Sequence, residues 1–256
     1  MTNKESIKEI VIREFSSKSV QETYKRITKQ GLWKSEEKLF KKYLKKGSVL
    51  DVGCGSGRTT FPLVRMGYKV IGVDLTPAMI KSAKELSKEF KIKVDFRTGD
   101  ATDLEFKNES FDNVLFSWNG WNFIPERKNR LKALKEIYRV LKPNGYFIFT
   151  SHIRKIRRLA WIKFWFIQWI RMYILRLFGY KMKEKEWGDI FFKKGSIVEF
   201  EREQYINIPK LSEVKFLIKK VGFILEYNEY KNTISTSEKR VKRANWMFFV
   251  CRKPVQ

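Results

Sequence analysis

Apolar and polar residues follow two different spacings along the central part of this chain. Short apolar runs, which indicate buried strands, alternate with segments whose apolar residues recur every three or four positions, which indicate amphipathic helices. The runs that predict strands are 48–53, 69–74, 93–98, 111–117 and 146–151. The segments that predict helices between them are 58–66, 76–90 and 127–141. This alternation predicts a doubly wound α/β fold with a mostly parallel sheet.

The residues before the first strand have helical spacing and no glycine-rich loop of their own. We expect residues 1–46 to form a helical cap over the ligand edge of the sheet. Within this cap, the turn Gly31-Leu32-Trp33 presents an aromatic ring. Trp33 is therefore a candidate for the substrate pocket.

After Ser151 the regular alternation of strands and helices stops. We interpret 153–205 as a helical insertion that follows the fifth strand. A helix at 211–221 and strands at 223–230 and 245–251 then complete the sheet, and the polar segment 231–243 predicts a loose loop. The predicted regions are the cap 1–46, a ligand-binding core 47–152, the insertion 153–205 and the C-terminal part of the core, 206–256.

The stretch from Val49 to Thr60 carries three glycines at alternate positions, Gly53, Gly55 and Gly57. An apolar run precedes them and a helical segment follows, which predicts a strand, a tight turn and a helix start. Glycine lets the backbone approach a ligand closely, and the helix start offers free N–H groups. Nucleotide-like ligands bind at such a turn in open α/β sheets.

Two acidic residues indicate which nucleotide-like ligand is bound. Asp74 ends the second strand 21 residues after Gly53, the usual distance for an acid that binds ribose hydroxyls. Asp100 follows the third strand, and its carboxylate can accept a hydrogen bond from the amine of adenine. Dinucleotide-binding proteins have the motif Gly-x-Gly-x-x-Gly at this turn. Arg58 stands at its third glycine position, so the motif is not met. The alternatives are a simple strand-end carboxylate at Asp74 and a turn former at Asp100.

Five motifs in this order resemble the class I S-adenosylmethionine-dependent methyltransferases. They are Leu50 to Gly57, Gly72 to Met79, Gly99 to Ala101, Phe111 to Val114 and Leu141 to Gly145. The resemblance covers residues 47–152. It implies a seven-stranded, Rossmann-like sheet with an antiparallel last strand, S-adenosylmethionine as the methyl donor and S-adenosylhomocysteine as the product. It implies no metal.

The resemblance also implies a set of cofactor-binding residues. Asp51 and the glycine turn would hold the methionyl part, Asp74 the ribose, and Asp100 with Ala101 the adenine. The backbone carbonyl of Ser117 would take the donor's amino group. The full set is Asp51, Gly53, Cys54, Gly55, Gly57, Asp74, Leu75, Met79, Asp100, Ala101, Ser117 and Trp118.

The end of the fourth strand faces the methyl donor in this family. Trp118, Asn119 and Trp121 are candidates for the acceptor pocket there, although core packing is the alternative for Trp121 and Phe123. Family members that methylate nucleobases or glutamine carry an Asn/Asp-Pro-Pro-aromatic motif at this point. Its absence here counts against an amide or an exocyclic amine as the acceptor.

His152 is the only histidine and follows the fifth strand. Methyl transfer to oxygen needs a deprotonated acceptor, and an imidazole with a pKa near neutrality is a candidate general base. The alternative is a hydrogen-bonded structural histidine.

The formal net charge is +26, from 54 Lys and Arg against 28 Asp and Glu. The excess is spread along the chain, which favours a solvated basic surface over one binding patch. The segment 154–183 is the exception, because it combines nine Lys or Arg residues with many aromatic residues and no acid.

As a helix, the segment 154–183 has one aliphatic face and, on the opposite side, a stripe of Trp and Arg residues. The aliphatic face contains Ile156, Leu159, Phe166, Ile167, Ile170, Ile174 and Leu177. The opposite face contains Arg158, Trp161, Trp165, Trp169, Met172 and Arg176. We expect the aliphatic face to dock on the domain and the other face to stay exposed, with Trp161 and Trp165 as candidate pocket residues. A substrate lid, partner helix or dimer contact is favoured for it, followed by peripheral membrane contact and then RNA.

The two cysteines, Cys54 and Cys251, form no disulfide framework, and the N-terminal residues lack a signal-peptide pattern. We expect a cytoplasmic protein, with peripheral membrane association as an option. The predicted function is S-adenosylmethionine-dependent methyl transfer to an oxygen or nitrogen nucleophile of a small or amphiphilic molecule. The alternatives are an RNA methyltransferase and a non-catalytic S-adenosylmethionine-binding protein.

Overall fold

The computed structural model describes residues 5–155, 159–194, 198–236 and 246–255. Three helices come first, α1 (Ile7–Ser16), α2 (Lys18–Thr28) and α3 (Lys34–Tyr43). Helix α1 begins with a capping box: the Ser6 hydroxyl accepts from the Glu9 amide at 3.2 Å, and the Glu9 carboxylate accepts from the Ser6 amide at 2.6 Å. These bonds satisfy amides that have no partner within the helix.

The remaining elements alternate through the core and then through the insertion. In chain order they are β1 (Ser48–Val52), α4 (Thr60–Arg65), β2 (Lys69–Asp74), α5 (Pro77–Phe90), β3 (Asp95–Thr98), β4 (Phe111–Phe116), α6 (Arg127–Val140), β5 (Leu141–Ser151), α7 (Leu159–Trp169), β6 (Asp189–Lys194), β7 (Glu199–Asn207), α8 (Leu211–Val221), β8 (Ile224–Tyr230), α9 (Lys231–Ile234) and β9 (Met247–Arg252).

Seven of these strands form one sheet in the order β3-β2-β1-β4-β5-β9-β8. Strands β1 to β5 pair in parallel, whereas β9 runs antiparallel to both of its neighbours. The predicted seven-stranded sheet with an antiparallel last strand is confirmed. The order reverses between β1 and β4, and ligands in open α/β sheets bind outside the carboxyl ends of the strands at such a reversal.

The two central strands are buried on both faces. Val49 and Leu50 of β1 and Val114 and Leu115 of β4 are fully shielded from solvent. Burial on both faces explains why neighbouring positions of β1 and β4 are apolar, as in Val49-Leu50 and Val114-Leu115, instead of alternating with polar residues.

The insertion contains a β-ribbon as well as a helix, so the prediction of a purely helical insertion is corrected. Helix α7 continues as a π-helical segment, Ile170–Leu175, and the chain then forms an antiparallel pair of β6 with β7. Phe200 of β7 packs against Phe15 of α1, with ring centroids 5.9 Å apart. The ribbon therefore depends on contacts with the cap, which the local sequence pattern does not show.

Helix α7 is rotated relative to the prediction. Trp165 and Met172, from the predicted exposed face, are buried together with Gln168. Phe166 and Ile167, from the predicted docking face, are exposed. Ile156 and Arg158 lie outside the described residues. The helix is apolar around its whole circumference, so its periodicity could not select the face that docks.

A buried carboxylate fixes the base of the insertion. Asp189 accepts hydrogen bonds from the Tyr205 hydroxyl at 2.7 Å and the Asn207 side-chain amide at 2.8 Å. It also accepts from the backbone amides of Lys185 and Glu186 at 2.9 and 3.0 Å. Four donors on one carboxylate tie the segment after α7 to strand β7.

Two further local predictions are corrected. The predicted turn at Pro143-Asn144-Gly145 lies within strand β5, where Asn144 takes a positive φ of 61° and its amide bonds the carbonyl of Lys253 at 2.8 Å. The predicted loop 231–243 begins with helix α9, whose Lys231 is buried against the rings of Trp33 and Trp246. Residues 237–245, with the rest of that loop and the predicted start of the last strand, lie outside the described residues.

Candidate cofactor and substrate site

A cavity of about 470 Å³ lies at the carboxyl ends of β1 to β4, beneath α1 and α2. Small-molecule sites usually have volumes of roughly 300–1,000 Å³. The predicted cofactor residues in its wall are Gly53, Cys54, Gly55, Asp74, Leu75, Met79, Asp100, Ala101, Ser117 and Trp118. Residues distant in sequence thus converge on one cavity.

The glycine turn after β1 has a backbone that favours glycine. Gly53 and Gly55 have φ values of 62° and 54°. A Cβ on Gly53 would also lie 2.6 Å from a ring carbon of Phe116. Gly57 lies outside the cavity wall, and a Cβ there would come within 2.7 Å of Phe61 in α4. Gly57 therefore allows α4 to pack closely, whereas Gly53 and Gly55 expose the backbone to the cavity.

Asp51 lies behind the turn and is fully buried. Its Oδ2 accepts hydrogen bonds from the hydroxyls of Thr59 and Thr60, both at 2.6 Å. Its Oδ1 has no hydrogen-bond partner among the residues that the structure describes. Burial raises the pKa of the Asp51 carboxyl to about 6. The carboxylate thus fixes the start of α4 and retains one open acceptor.

Asp74 joins the turn to the end of β2. Its Oδ2 accepts from the Gly55 amide and its Oδ1 from the Thr76 amide, both at 2.8 Å. Burial raises the pKa of Asp74, and these two amide bonds oppose that rise. The carboxylate stands in the cavity wall, where hydroxyl donors of a ligand can reach it.

Asp100 pairs with a cap residue that the sequence analysis did not identify. Lys8 of α1 lies 2.7 Å from Asp100 Oδ2, and the Thr102 amide and hydroxyl donate to Oδ1 at 2.8 and 2.9 Å. Partial burial raises the pKa of Asp100, but the Lys8 and Thr102 bonds outweigh it and lower the pKa overall. Both Lys8 and Asp100 line the cavity, so this ion pair joins the cap to the sheet across it.

Aromatic residues form another part of the wall. Tyr24 of α2 stacks on Trp118 with ring centroids 4.9 Å apart, and burial raises the pKa of its phenol. Arg58 lies beside Trp118 and forms a two-point ion pair with Glu36 of α3, with both N–O distances at 2.6 Å. Tyr24 and Arg58 were not predicted as site residues, because their roles depend on how the cap packs.

Apart from Trp118, the predicted pocket aromatics Trp33, Trp121, Trp161 and Trp165 lie outside the wall of this cavity. Trp33 packs against Arg58 and Trp118, which line the cavity, but Trp33 itself does not line it. Trp121 is fully buried in the main core, and its indole N–H lies 3.4 Å from the Arg130 carbonyl. Trp165 is buried beside Trp187, whereas Trp161 is exposed on α7.

Asn119 and His152 form a pair beside the cavity, in which Asn119 is buried and His152 is partly buried. The side-chain amide nitrogen of Asn119 lies 3.2 Å from His152 Nε2, and the His152 amide donates to Asn122 Oδ1 at 3.0 Å. Burial lowers the pKa of His152 to about 4. The imidazole is therefore neutral near pH 7, and it lies outside the cavity wall.

The depressed pKa of His152 predicts a pH effect on stability. An unfolded histidine titrates near pH 6.5, so below that pH the unfolded chain binds more protons than the folded one. The free energy of unfolding should therefore fall by about 3 kcal/mol as the pH drops from 6.5 to 4. Urea titrations at pH 6.5 and pH 4 measure this change. In the variant His152→Gln the free energy of unfolding should not show this decrease, because the titrating ring is absent. Methyl transfer by this variant should persist at neutral pH, and a large loss of kcat with normal stability would instead assign the ring a catalytic role.

Of the described residues, no group of His, Cys, Asp and Glu side chains has the arrangement of a metal site. The polar part of the cavity is built from a glycine turn and separate carboxylates, and these suit hydrogen-bond donors of an organic ligand.

Comparison with known proteins agrees with this geometry. Residues 50–149 match the family model described as a methyltransferase domain. The chain is 30% identical over 190 residues to demethylmenaquinone methyltransferase of Lactococcus lactis. The aligned region covers 72% of this chain and 68% of that protein. It is 32% identical over 112 residues to ubiquinone biosynthesis O-methyltransferase of Azorhizobium caulinodans, covering 44% of this chain and 43% of that protein.

The fold is also similar to that of a solved structure. An S-adenosylmethionine-dependent methyltransferase of Methanosarcina mazei superposes with a TM-score of 0.66 at 23% identity, and the match covers 88% of this chain and all of that one. At this identity the likeness shows the fold alone. Together with the family model and the 30% identity across two thirds of a curated relative, it leads to one assignment. The chain belongs to the class I S-adenosylmethionine-dependent methyltransferases.

Proposed function

We propose that this methyltransferase acts on an oxygen or nitrogen nucleophile of a small molecule with a large apolar part. The observation that carries the proposal is the mixed wall of the cavity. Its polar part includes the glycine turn with Asp74 and Asp100. Its apolar part includes Ile7, Val11, Phe15, Phe123 and Ile124, and the charged residues Lys8, Glu126 and Lys185 also line the cavity. Such a wall favours an apolar ligand, because contact with it removes apolar surface from water.

The two curated relatives support an apolar acceptor. Their names refer to menaquinone and ubiquinone, which are lipophilic quinones. We infer that the acceptor here belongs to the same broad class of lipophilic ring compounds. The cap residues that form the apolar wall would then decide which member of the class binds.

The polar side of the wall fits S-adenosylmethionine. Asp74 would accept from the ribose hydroxyls and Asp100 from the adenine amine. The turn at Gly53 and Gly55 leaves the backbone open for the methionyl part, and the unpaired Oδ1 of Asp51 is a further acceptor behind it. The carbonyl of Ser117 would take the amino group.

The bound donor supplies a methyl group on a positively charged sulfur, which leaves as a neutral thioether. The chain's own contribution is alignment and exclusion of water by α1 and α2. Tyr24 and Trp118 stack on each other in the wall, and aromatic rings of this kind attract a nearby cation.

A label-transfer experiment tests the proposal. With methyl-labelled S-adenosylmethionine and a cell extract, we expect label in compounds that enter an organic solvent. The variant Phe123→Ala should lower kcat/KM for that acceptor by roughly tenfold, because it removes part of the apolar wall. Its affinity for S-adenosylhomocysteine should stay unchanged. Phe216→Ala, which removes an exposed ring on α8, is the matched control and should change neither quantity.

Two outcomes would contradict the proposal. Label that enters RNA alone, with binding that weakens steeply as salt rises, would identify an RNA methyltransferase. Binding of S-adenosylhomocysteine without transfer to any fraction would identify a non-catalytic binding protein.

A further inference from the structure

The insertion carries a large apolar surface in contact with solvent, here called the insertion face. Its members are Leu159, Ile162, Phe166, Ile167, Leu177 and Phe178, and their exposed fractions range from 46% to 85%. Trp161, Trp169, Tyr173 and Tyr180 are also exposed along the same segment. Contiguous apolar surface of this kind marks an interaction site.

The insertion face exists because α7 docks through a narrow strip only. Trp165, Gln168 and Met172 are buried, and they follow one another at helical spacing. Trp165 packs beside Trp187, and the guanidinium of Arg154 lies 5.0 Å from its ring centre. The rest of the circumference is mostly apolar and is exposed among the described residues, whereas helices of this composition are normally buried.

The charge of the segment limits what can cover the insertion face. Residues 154–183 contain nine Lys or Arg and no acid. Arg171 pairs with Glu184 at 3.2 Å and Lys183 pairs with Glu203, both acids from beyond the segment. Lys163 is exposed among the apolar residues of the insertion face itself. A partner must therefore accept apolar side chains and positive charge together.

We propose that the insertion face docks on a bilayer surface that contains anionic lipids. Aliphatic side chains would enter the acyl boundary, Trp and Tyr rings suit the headgroup level, and Lys and Arg attract anionic headgroups. A second copy of the chain fits less well, because a two-fold interface would bring exposed cations such as Lys163 and Lys181 of the two copies toward one another. None of the helices in the described part of the chain has the length and apolar composition of a membrane span. The inference concerns this surface and does not depend on the acceptor.

Vesicle flotation tests the inference. The probes are vesicles of phosphatidylcholine alone and of phosphatidylcholine mixed with phosphatidylglycerol. We expect the wild type to float with the mixed vesicles and much less with the neutral ones. The triple variant Phe166→Gln, Ile167→Gln, Leu177→Gln should lower partitioning by roughly a hundredfold, on the order of fivefold for each side chain. The matched control, Phe216→Gln with Ile224→Gln, changes exposed apolar residues elsewhere and should float like the wild type.

A second variant tests the electrostatic part. Lys163→Glu with Lys181→Glu should reduce binding to the mixed vesicles and leave the weak binding to neutral vesicles unchanged. Normal binding of S-adenosylhomocysteine would show that each variant is folded. Failure of the wild type to float, or equal flotation of the wild type and the triple variant, would overturn the proposal. A dimer in solution that the triple variant dissociates would assign the insertion face to a second copy and overturn it as well.

Discussion

Asp74→Ala is expected to weaken the binding of S-adenosylhomocysteine by roughly a hundredfold to a thousandfold. In its proposed role the carboxylate would accept two charge-assisted hydrogen bonds from a ribose, and the expected loss corresponds to about 1.5–2 kcal/mol for each, at the low end of the usual range. It also accepts from the Gly55 amide, so its loss frees the turn that faces the cavity. Isothermal titration calorimetry measures the change directly.

Two comparisons make this result specific. Asp95→Ala removes an exposed carboxylate at the start of β3, whose partner is the neighbouring Arg97, and should leave the affinity unchanged. Asp74→Asn keeps one acceptor oxygen without the charge and should bind with intermediate affinity. Wild-type affinity in Asp74→Ala would show that this carboxylate does not hold the ribose.

Glu36→Gln is expected to cost about 3–5 kcal/mol of folding free energy, because it leaves a buried guanidinium without its counterion. The Glu36 side chain is fully buried and that of Arg58 is 6% exposed. Glu36 also accepts from the backbone amide of Trp33 at the start of α3. Chemical denaturation monitored by tryptophan fluorescence measures the loss.

Glu37→Gln is the matched control for the buried ion pair. Glu37 lies on the same helix, and its partners Lys34 and Lys41 are both mostly exposed. Its substitution should leave the unfolding free energy nearly unchanged, because exposed ion pairs contribute little. The double variant Glu36→Gln, Arg58→Met should recover much of the loss. An unchanged midpoint in Glu36→Gln would mean that the buried ion pair does not support the fold.

The ion pair also shows how the site depends on the cap. Arg58 follows the glycine turn directly, and Glu36 belongs to α3. On the other side of the cavity, Lys8 of α1 holds Asp100. Residues of the N-terminal helices thus hold the cavity wall at Arg58 and at Asp100. Variants that loosen the cap should therefore weaken cofactor binding as well as stability.

The core sheet and the polar half of the cavity could be predicted because their signals are local. Each strand of the core is a short apolar run, and each cofactor carboxylate stands directly after such a run. Parallel strands bring their carboxyl ends to one edge, so Asp74 and Asp100 had to converge on the glycine turn. The seven-stranded sheet and the S-adenosylmethionine family are confirmed on that basis.

The substrate side of the cavity could not be predicted, because it is assembled from distant elements. Tyr24 reaches the cavity only through the packing of α2, and Trp33, although aromatic and close in sequence, faces another way. Asn119 and His152 follow strands of the correct edge, yet their side chains pair with each other beside the cavity. Spacing along the chain identifies the edge of the sheet but not the direction of a side chain.

The sequence by itself determined the fold class and the methyl donor, since short-range patterns encode strand, turn and carboxylate together. Only the tertiary structure decided which residues form the apolar wall and which side of α7 stays exposed. That helix has no distinct polar face, so its orientation depends on the packing of Trp165 against Arg154 and Trp187. Such a choice belongs to long-range packing, which no periodicity in the sequence records.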